Sequence, residues 1–168
     1  VSEISVRRAR TGDIPGILAV IDPLVQARIL LGKERVTLYE AVQQFRVAEA
    51  SDGQLIGCGA LHVMWEDLGE VRTLAAADGW RGRGVGHALL EALETDAREL
   101  GLRRLFCLTF EVDFFAGHGY AEIEEGVVVS ADIYTELLRS PDDGVAEFLD
   151  LARVKQNTLG NTRMLKQL

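Results

Sequence analysis

The sequence predicts an α/β fold, and three stretches carry that prediction. Val71 to Gly101 reads VRTLAAADGWRGRGVGHALLEALETDARELG, an apolar run short enough for a buried strand, then an arginine- and glycine-rich loop, then a helix. Phe45 to Ala50 and Leu55 to Trp65 are strand-like runs joined at Ser51-Asp52-Gly53, where Asp-Gly is a strong hairpin signal. Leu105-Phe106-Cys107-Leu108-Thr109 supplies a further strand after the helix.

Taken in order, Ile4 to Ala9 alternates as a first strand. Thr11-Gly12-Asp13-Ile14-Pro15 opens a helix with Thr11 or Asp13 as N-cap and Pro15 in the first turn. Ile14, Ile17, Leu18, Ile21, Leu24 and Val25 mark its buried side, and Pro23 is expected to kink or end it near Asp22. Gly32-Lys33-Glu34-Arg35 leads to a second helix from Thr37 to about Gln43. After the hairpin, Glu66 to Glu70 reads as a turn into the central strand Val71 to Ala77, which Asp78-Gly79 breaks. From Arg83 onward Val85, Leu89, Leu93, Ala97 and Leu100 recur at helical spacing, Glu91, Glu94, Asp96, Arg98 and Glu99 fill the remaining circumference, and Gly101 takes the C-cap. A short helix over Val112 to His118, a strand over Tyr120 to Ile123, helical pieces at Ile133 to Leu138 and Val145 to Leu149, and a last strand over Thr162 to Leu165 complete the chain, read as one domain over 1–168.

A net charge of −8 argues against nucleic acid as a partner. No apolar run approaches membrane-spanning length and VSEISVRRAR has no apolar signal core, so no membrane is implied and a cytoplasmic protein is expected. Cys58 and Cys107 lie in apolar runs without metal-ligand or disulfide spacing, read as small core residues, and no metal is expected. His62 reads as a packed or edge histidine. An anionic ligand would have to be attracted locally, by Arg28, Arg35, Arg72, Arg81 or Arg83; for Arg28 a solvated surface role is favoured.

Arg81-Gly82-Arg83-Gly84-Val85-Gly86, opening a helix, can turn backbone N–H groups toward one point and cradle a phosphate or pyrophosphate. No Gly-Lys-Ser/Thr is present, so the Walker form fails, and the spacing of a dinucleotide fingerprint is not met. Glycines serving only to turn the chain are the plainer alternative. The form Arg81-x-x-Gly84-x-Gly86 resembles the acyl-coenzyme A loop of the GNAT superfamily of N-acetyltransferases, and Phe114-Phe115-Ala116-Gly117-His118-Gly119-Tyr120 looks like that family's F-Y-x-x-x-G-F segment. The resemblance implies a GNAT fold, a central mixed twisted sheet flanked by helices, with acetyl-CoA bound at the splayed central strands. It assigns Leu74, Ala75 and Ala76 to the pantetheine arm through their N–H groups, and Arg81, Gly82, Arg83, Gly84, Val85, Gly86 and Phe114 to the cofactor.

Acetylating an amine requires a proton acceptor, since an ammonium cannot attack a thioester, and donors for the tetrahedral oxyanion. Glu70, at the entry to the central strand, is the base candidate, against the reading that it merely ends a turn. Phe115 stands where many family members carry a tyrosine acid, which leaves Thr109, Tyr120, water or solvent to protonate the thiolate. Because a thiol has a pKa of about 8.5, its thiolate can also leave unaided. A covalent route through Cys107 is disfavoured because nothing cationic flanks it in sequence.

Within the superfamily, Arg7-Arg8-Ala9, Asp13 to Leu18, Pro23-Leu24, Ile29-Leu30 and Arg35, with Gly69-Glu70 and Leu105 to Thr109, resemble the acetyltransferase domain of bacterial N-acetylglutamate synthases, in a short stand-alone form. That implies acetyl transfer to the α-amine of L-glutamate, the first step of arginine biosynthesis, by direct attack in a ternary complex. Carboxylates favour bidentate arginine; Arg35 matches a carboxylate-binding position, Arg72 points to the same region, and Asn161 and Arg163 in Asn157 to Arg163 could finish the acceptor pocket. Glutamine, another small amine or a protein N-terminus are the alternative acceptors, and a non-catalytic acyl-CoA-binding module is the alternative of another class. A homodimer is the default expectation.

Overall fold

The computed structural model describes residues 3–30, 32–123 and 129–168. In chain order the elements are β1 (Ile4–Arg8), α1 (Ile14–Gln26), α2 (Arg35–Glu40), β2 (Phe45–Ala50), β3 (Leu55–Trp65), β4 (Leu68–Ala76), α3 (Val85–Leu100), β5 (Arg104–Thr109), α4 (Val112–Ala116), β6 (Ala121–Glu122), α5 (Ala131–Leu137), α6 (Asp143–Phe148), α7 (Lys155–Thr158) and β7 (Thr162–Gln167). The strands form a 7-stranded sheet in the order β1-β2-β3-β4-β5-β7-β6. It is mixed, as expected: β4 and β5 are parallel, while β1–β2, β2–β3, β5–β7 and β6–β7 are antiparallel. The chain divides into two compact units, Val1–His62 with Val71–Leu100, and Val63–Glu70 with Gly101–Leu168.

In the first unit, α1 buries Ile14, Ile17, Val20, Ile21 and Leu24 against Leu38, Phe45, Val47, Cys58, Ala60 and Ala75. That apolar face holds the helix together through Pro23, where a kink or an end near Asp22 was expected; α1 does not end there but runs on to Gln26, and the proline carbonyl accepts from the Ala27 N–H at 3.1 Å. Asp13 caps with no side-chain bond to the helix. Its carboxylate instead takes both terminal nitrogens of Arg7, at 2.8 and 2.9 Å, and the Arg10 N–H at 2.7 Å. α2 begins earlier than expected, at Arg35, and ends at Glu40.

The hairpin forms as read: Gly53 has φ 85°, and Asp52 Oδ1 accepts from the Gln54 N–H at 2.9 Å. On β3 two glycines let α3 lie close. A Cβ at Gly57 would stand 2.5 Å from Val85 Cγ1, and one at Gly59 would stand 2.9 Å from Leu74 Cδ1 and 3.0 Å from Leu93 Cδ1. Three positions on α3 depart from the helical-periodicity reading. Leu100 is exposed, while Glu94 and Asp96 are buried. Asp96 can be buried because Arg46 grips it through Nε at 2.8 Å and Nη2 at 2.6 Å.

In the second unit Met64, Leu68, Phe106, Leu137, Val145, Phe148 and Leu149 form the core, with Phe106 and Phe148 edge to face at 5.3 Å. The β4–β5 ladder runs from Leu68↔Arg104 to Glu70↔Phe106. This corrects the turn read over Glu66 to Glu70: β4 begins at Leu68, so Glu70 is a strand residue.

Candidate active site

The glycine loop lies between the end of β4 and α3, inside the first unit. Gly82 (φ 73°) and Gly84 (φ 90°) hold left-handed backbone conformations that side chains rarely adopt, and open space surrounds the place where a Cβ would stand on each. The Gly84 carbonyl accepts from the Ala88 N–H at 3.0 Å and closes the first turn of α3. The N–H groups of Val85 and Gly86 are therefore first-turn donors without acceptors inside the helix. The two loop arginines play different parts. Arg83 stacks over the Trp80 ring, 3.9 Å from its centroid, and pairs with Glu3 at 3.0 Å. Arg81 is exposed and has no ion-pair or hydrogen-bond partner among the described residues, so it is the loop's available cation.

β4 itself is irregular. Thr73 has φ 57°, a left-handed residue within a strand, which breaks the two-residue alternation as a bulge does. A β-branched residue there costs about 1–3 kcal/mol. The Cys58 thiol donates to the Thr73 carbonyl at 3.5 Å. Beyond the kink come Leu74, Ala75 and Ala76. The Ala77 N–H bonds to the Ile56 carbonyl of β3 at 2.8 Å, and successive N–H groups of an extended chain point to opposite edges, so that of Ala76 is directed away from β3. Arg72, just before the kink, is half-buried.

In the second unit Glu70 is 4% exposed, with a Cα partner at Phe106 of β5. The next β5 residue is Cys107, whose thiol is pushed well above its ordinary range, first by burial and then by the negative charge of Glu70. A thiolate is thus disfavoured at Cys107. Thr109 is buried, and its hydroxyl oxygen accepts from the Glu111 N–H at 2.8 Å, which leaves the hydroxyl proton to donate elsewhere. Phe115 is a core residue, edge to face with Tyr120 at 5.1 Å, and Phe114 packs against Phe115 and His118. Arg163 donates through Nε to the Glu147 carbonyl at 3.1 Å and through Nη2 to the Phe148 carbonyl, capping the end of α6. Asn161 is half-buried, Arg35 lies exposed at the first position of α2, and the side chain of Asn157 is outside the described residues.

Sequence reasoning missed the Thr73 kink, the Trp80 platform under Arg83, and the glycine face under α3. Only the last had a readable signal, two glycines one residue apart within a strand. Threonine is a poor indicator of a left-handed residue, and a tryptophan after Asp-Gly reads as a loop residue.

A model of the acetyltransferase (GNAT) family matches residues 29–122. The amino-acid acetyltransferase of Mycobacterium tuberculosis is 56% identical over 162 residues, covering 95% of this chain and 92% of that protein. A crystal structure of a Mycobacterium tuberculosis protein in complex with CoA and NLQ has a TM-score of 0.92 at 55% identity, covering 98% of this chain and 99% of that one. N-acetylglutamate synthase from Neisseria gonorrhoeae, complexed with coenzyme A and N-acetyl-glutamate, has a TM-score of 0.78 at 28% identity; this chain is covered in full but spans 36% of the synthase chain. The mixed sheet, the glycine loop opening α3 and these similarities together place the chain in the GNAT acetyltransferase family.

Proposed function

We propose that the chain is an amino-acid N-acetyltransferase that moves the acetyl group of acetyl-CoA to the α-amine of L-glutamate, the first step of arginine biosynthesis, in the cytoplasm. The observation that carries the reading is the make-up of β4: a buried carboxylate at Glu70, then the Thr73 kink, then the small residues Ala75 and Ala76. The similarity to an amino-acid acetyltransferase and to a synthase holding CoA and N-acetyl-glutamate supports it.

The open glycine loop fits a pyrophosphate. Backbone N–H groups at Gly82 to Gly86 and the Arg81 guanidinium receive its oxygens, while Arg83, held on Trp80, braces the loop. The N–H groups of Leu74 and Ala76 bind the pantetheine arm and polarise the thioester carbonyl, while Ala75, whose N–H shares the edge of the Ala77 N–H, contributes a small side chain there. Glu70 accepts a proton from the acceptor's ammonium, directly or through water. The freed amine attacks the carbonyl carbon, the C–N bond forms and the C–S bond breaks. The coenzyme A thiolate leaves, and the proton shed by the new amide nitrogen passes to it through solvent, with the Thr109 hydroxyl able to donate a hydrogen bond to the sulfur. Cys107 takes no part, since its environment opposes a thiolate. Arg35 and Arg72 bind acceptor carboxylates and Asn161 an acceptor polar group; Arg163, with two nitrogens committed to α6, contributes chiefly by holding that end in place.

The test is coenzyme A release with each proteinogenic amino acid as acceptor, the product identified by mass. Selective release with glutamate supports the reading. A preference for glutamine, another amine or a peptide N-terminus would move the acceptor and keep the reaction class, and acetyl-CoA binding without release to any acceptor would favour a non-catalytic module.

A further inference from the structure

The kink in β4 is gripped from β3. Cys58 is fully buried, and its thiol donates to the Thr73 carbonyl at 3.5 Å. The neighbours Gly57 and Gly59 face α3, since a Cβ on Gly57 would meet Val85 and one on Gly59 would meet Leu93. Side chains alternate along a strand, so Cys58 stands off the other face, in one cluster with Ile14, Ile17 and Ile21 of α1. Ladder carbonyls lie in the plane of the sheet, so a thiol standing off the face reaches a carbonyl that has turned out of it. The left-handed Thr73, at φ 57°, is where β4 makes that turn. A β-branched residue so strained persists only where its surroundings hold it, and the Cys58 thiol is one such hold.

The grip reaches past Thr73. Its carbonyl and the Leu74 N–H belong to one planar trans peptide, so the two point in opposite directions. Fixing the carbonyl toward Cys58 on β3 therefore aims the Leu74 N–H away from β3. The Ala76 N–H is directed away from β3 as well, because the Ala77 N–H bonds to the Ile56 carbonyl at 2.8 Å. Both donors thus face the same side beyond the kink, and the direction of the first depends on the thiol. Cysteine suits this position. It packs as a small hydrophobe in an apolar cluster yet carries a donor, and burial pushes the Cys58 pKa up to about 12, which keeps the proton on sulfur.

We infer that Cys58 is a positioning residue for acetyl transfer: its thiol, by gripping the Thr73 carbonyl, orients the Leu74 N–H toward the thioester. The inference rests on the acetyltransferase reading above, in which the Leu74 and Ala76 N–H groups polarise the acetyl carbonyl. Cys58 acts through the peptide, not on the substrate.

The experiment compares the unmodified chain with Cys58→Ala and Cys58→Ser, two small replacements of which only serine can donate. Infrared spectra give the S–H stretch and the carbonyl frequency of carbonyl-13C acetyl-CoA bound without acceptor. Kinetics with glutamate give kcat and both Michaelis constants, and unfolding gives the thermal midpoint. Cys107 is the other thiol in the chain, so the S–H signal lost in Cys58→Ala belongs to Cys58; it is expected below the frequency of a free thiol. Cys58→Ala is expected to raise the bound carbonyl frequency, as polarisation weakens. Its kcat should fall by about 2- to 10-fold, the worth of one hydrogen bond, with a smaller change in the acetyl-CoA KM. Cys58→Ser should bring frequency and kcat back toward the unmodified values. An unchanged carbonyl frequency in Cys58→Ala overturns the inference, whatever kcat does, and leaves the acetyltransferase reading standing. A Cys58 S–H stretch at the free-thiol frequency also overturns it. So do equal losses in both variants that track the thermal midpoint, the mark of packing alone. Should Cys58→Ser not fold, Cys58→Ala, which buries no new polar group, decides by its carbonyl frequency and its split between kcat and KM. If the unmodified chain binds acetyl-CoA but acetylates no amino acid, the acetyltransferase reading fails on its own, while the carbonyl frequency still shows whether Cys58 orients the Leu74 N–H.

Discussion

Glu70 concentrates the chemistry of the account in one carboxylate. Its residue type and neighbourhood were legible in the sequence, but its setting was not, because Glu66, Asp67 and Glu70 look alike as turn residues and only tertiary pairing extends β4 back to Leu68. Glu70→Gln keeps the shape and removes the proposed base. It should lower kcat by about 100-fold or more while acetyl-CoA affinity, measured by titration calorimetry, stays near normal; an unaltered kcat would remove Glu70 from the reaction. Cys107→Ala should keep turnover, with no acetylated protein seen by intact mass in the unmodified chain. Acetyl on Cys107 that chases to glutamate would establish the covalent route instead. Asp13 sets an acid limit on stability. The Arg7 guanidinium holds its carboxyl below the ordinary carboxylate range, so the native state binds fewer protons there than the unfolded chain. Its contribution is complete above the unfolded pKa of about 3.9 and is lost as pH falls through the lower native value. Asp13→Asn should therefore lower the thermal midpoint at pH 7 and narrow the gap to the unmodified chain as pH falls below about 4.

The position of α3 matters because its first turn presents donors to the glycine loop, and that position depends on what β3 lacks. At Gly59 an added methyl would meet Leu74 and Leu93 side chains at 3.0 Å or less, so Gly59→Ala should destabilise the fold by about 1–3 kcal/mol by overpacking, read from denaturant unfolding. A neutral result would mean that the helix shifts at no cost. In the loop, Arg81→Ala should raise the acetyl-CoA KM more than Arg83→Ala does, because Arg83 is already spent on Trp80 and Glu3; the reverse order would contradict that division. Elements were legible where periodicity was strong. The β2–β3 hairpin and the glycine-capped end of α3 were read from turn chemistry and spacing alone. Of the two outcomes open at Pro23, α1 did not end but ran on to Gln26 over its buried face, and the clear miss was Asp96, which went inside because Arg46, far away in sequence, met it.

At the scale of the whole molecule, the chain is an acidic GNAT acetyltransferase whose useful positive charge is confined to a few arginines. Family and loop were legible because their motif is contiguous: the glycines, the arginine and the helix follow one another directly. The acceptor was less so, because the groups proposed to recognise it are scattered, from Arg35 at the start of α2 to Arg72 on β4 and Asn161 before β7. Nothing in one-dimensional spacing says which arginine is spent internally, as Arg163 is on α6. The central claim is amide formation on an amino acid. Incubating the protein with acetyl-CoA and 15N-labelled glutamate, then identifying the products by mass, tests it most directly. The account predicts stoichiometric appearance of free coenzyme A and 15N-acetylglutamate. Acetyl-CoA bound but intact, with the labelled glutamate unchanged, would contradict it.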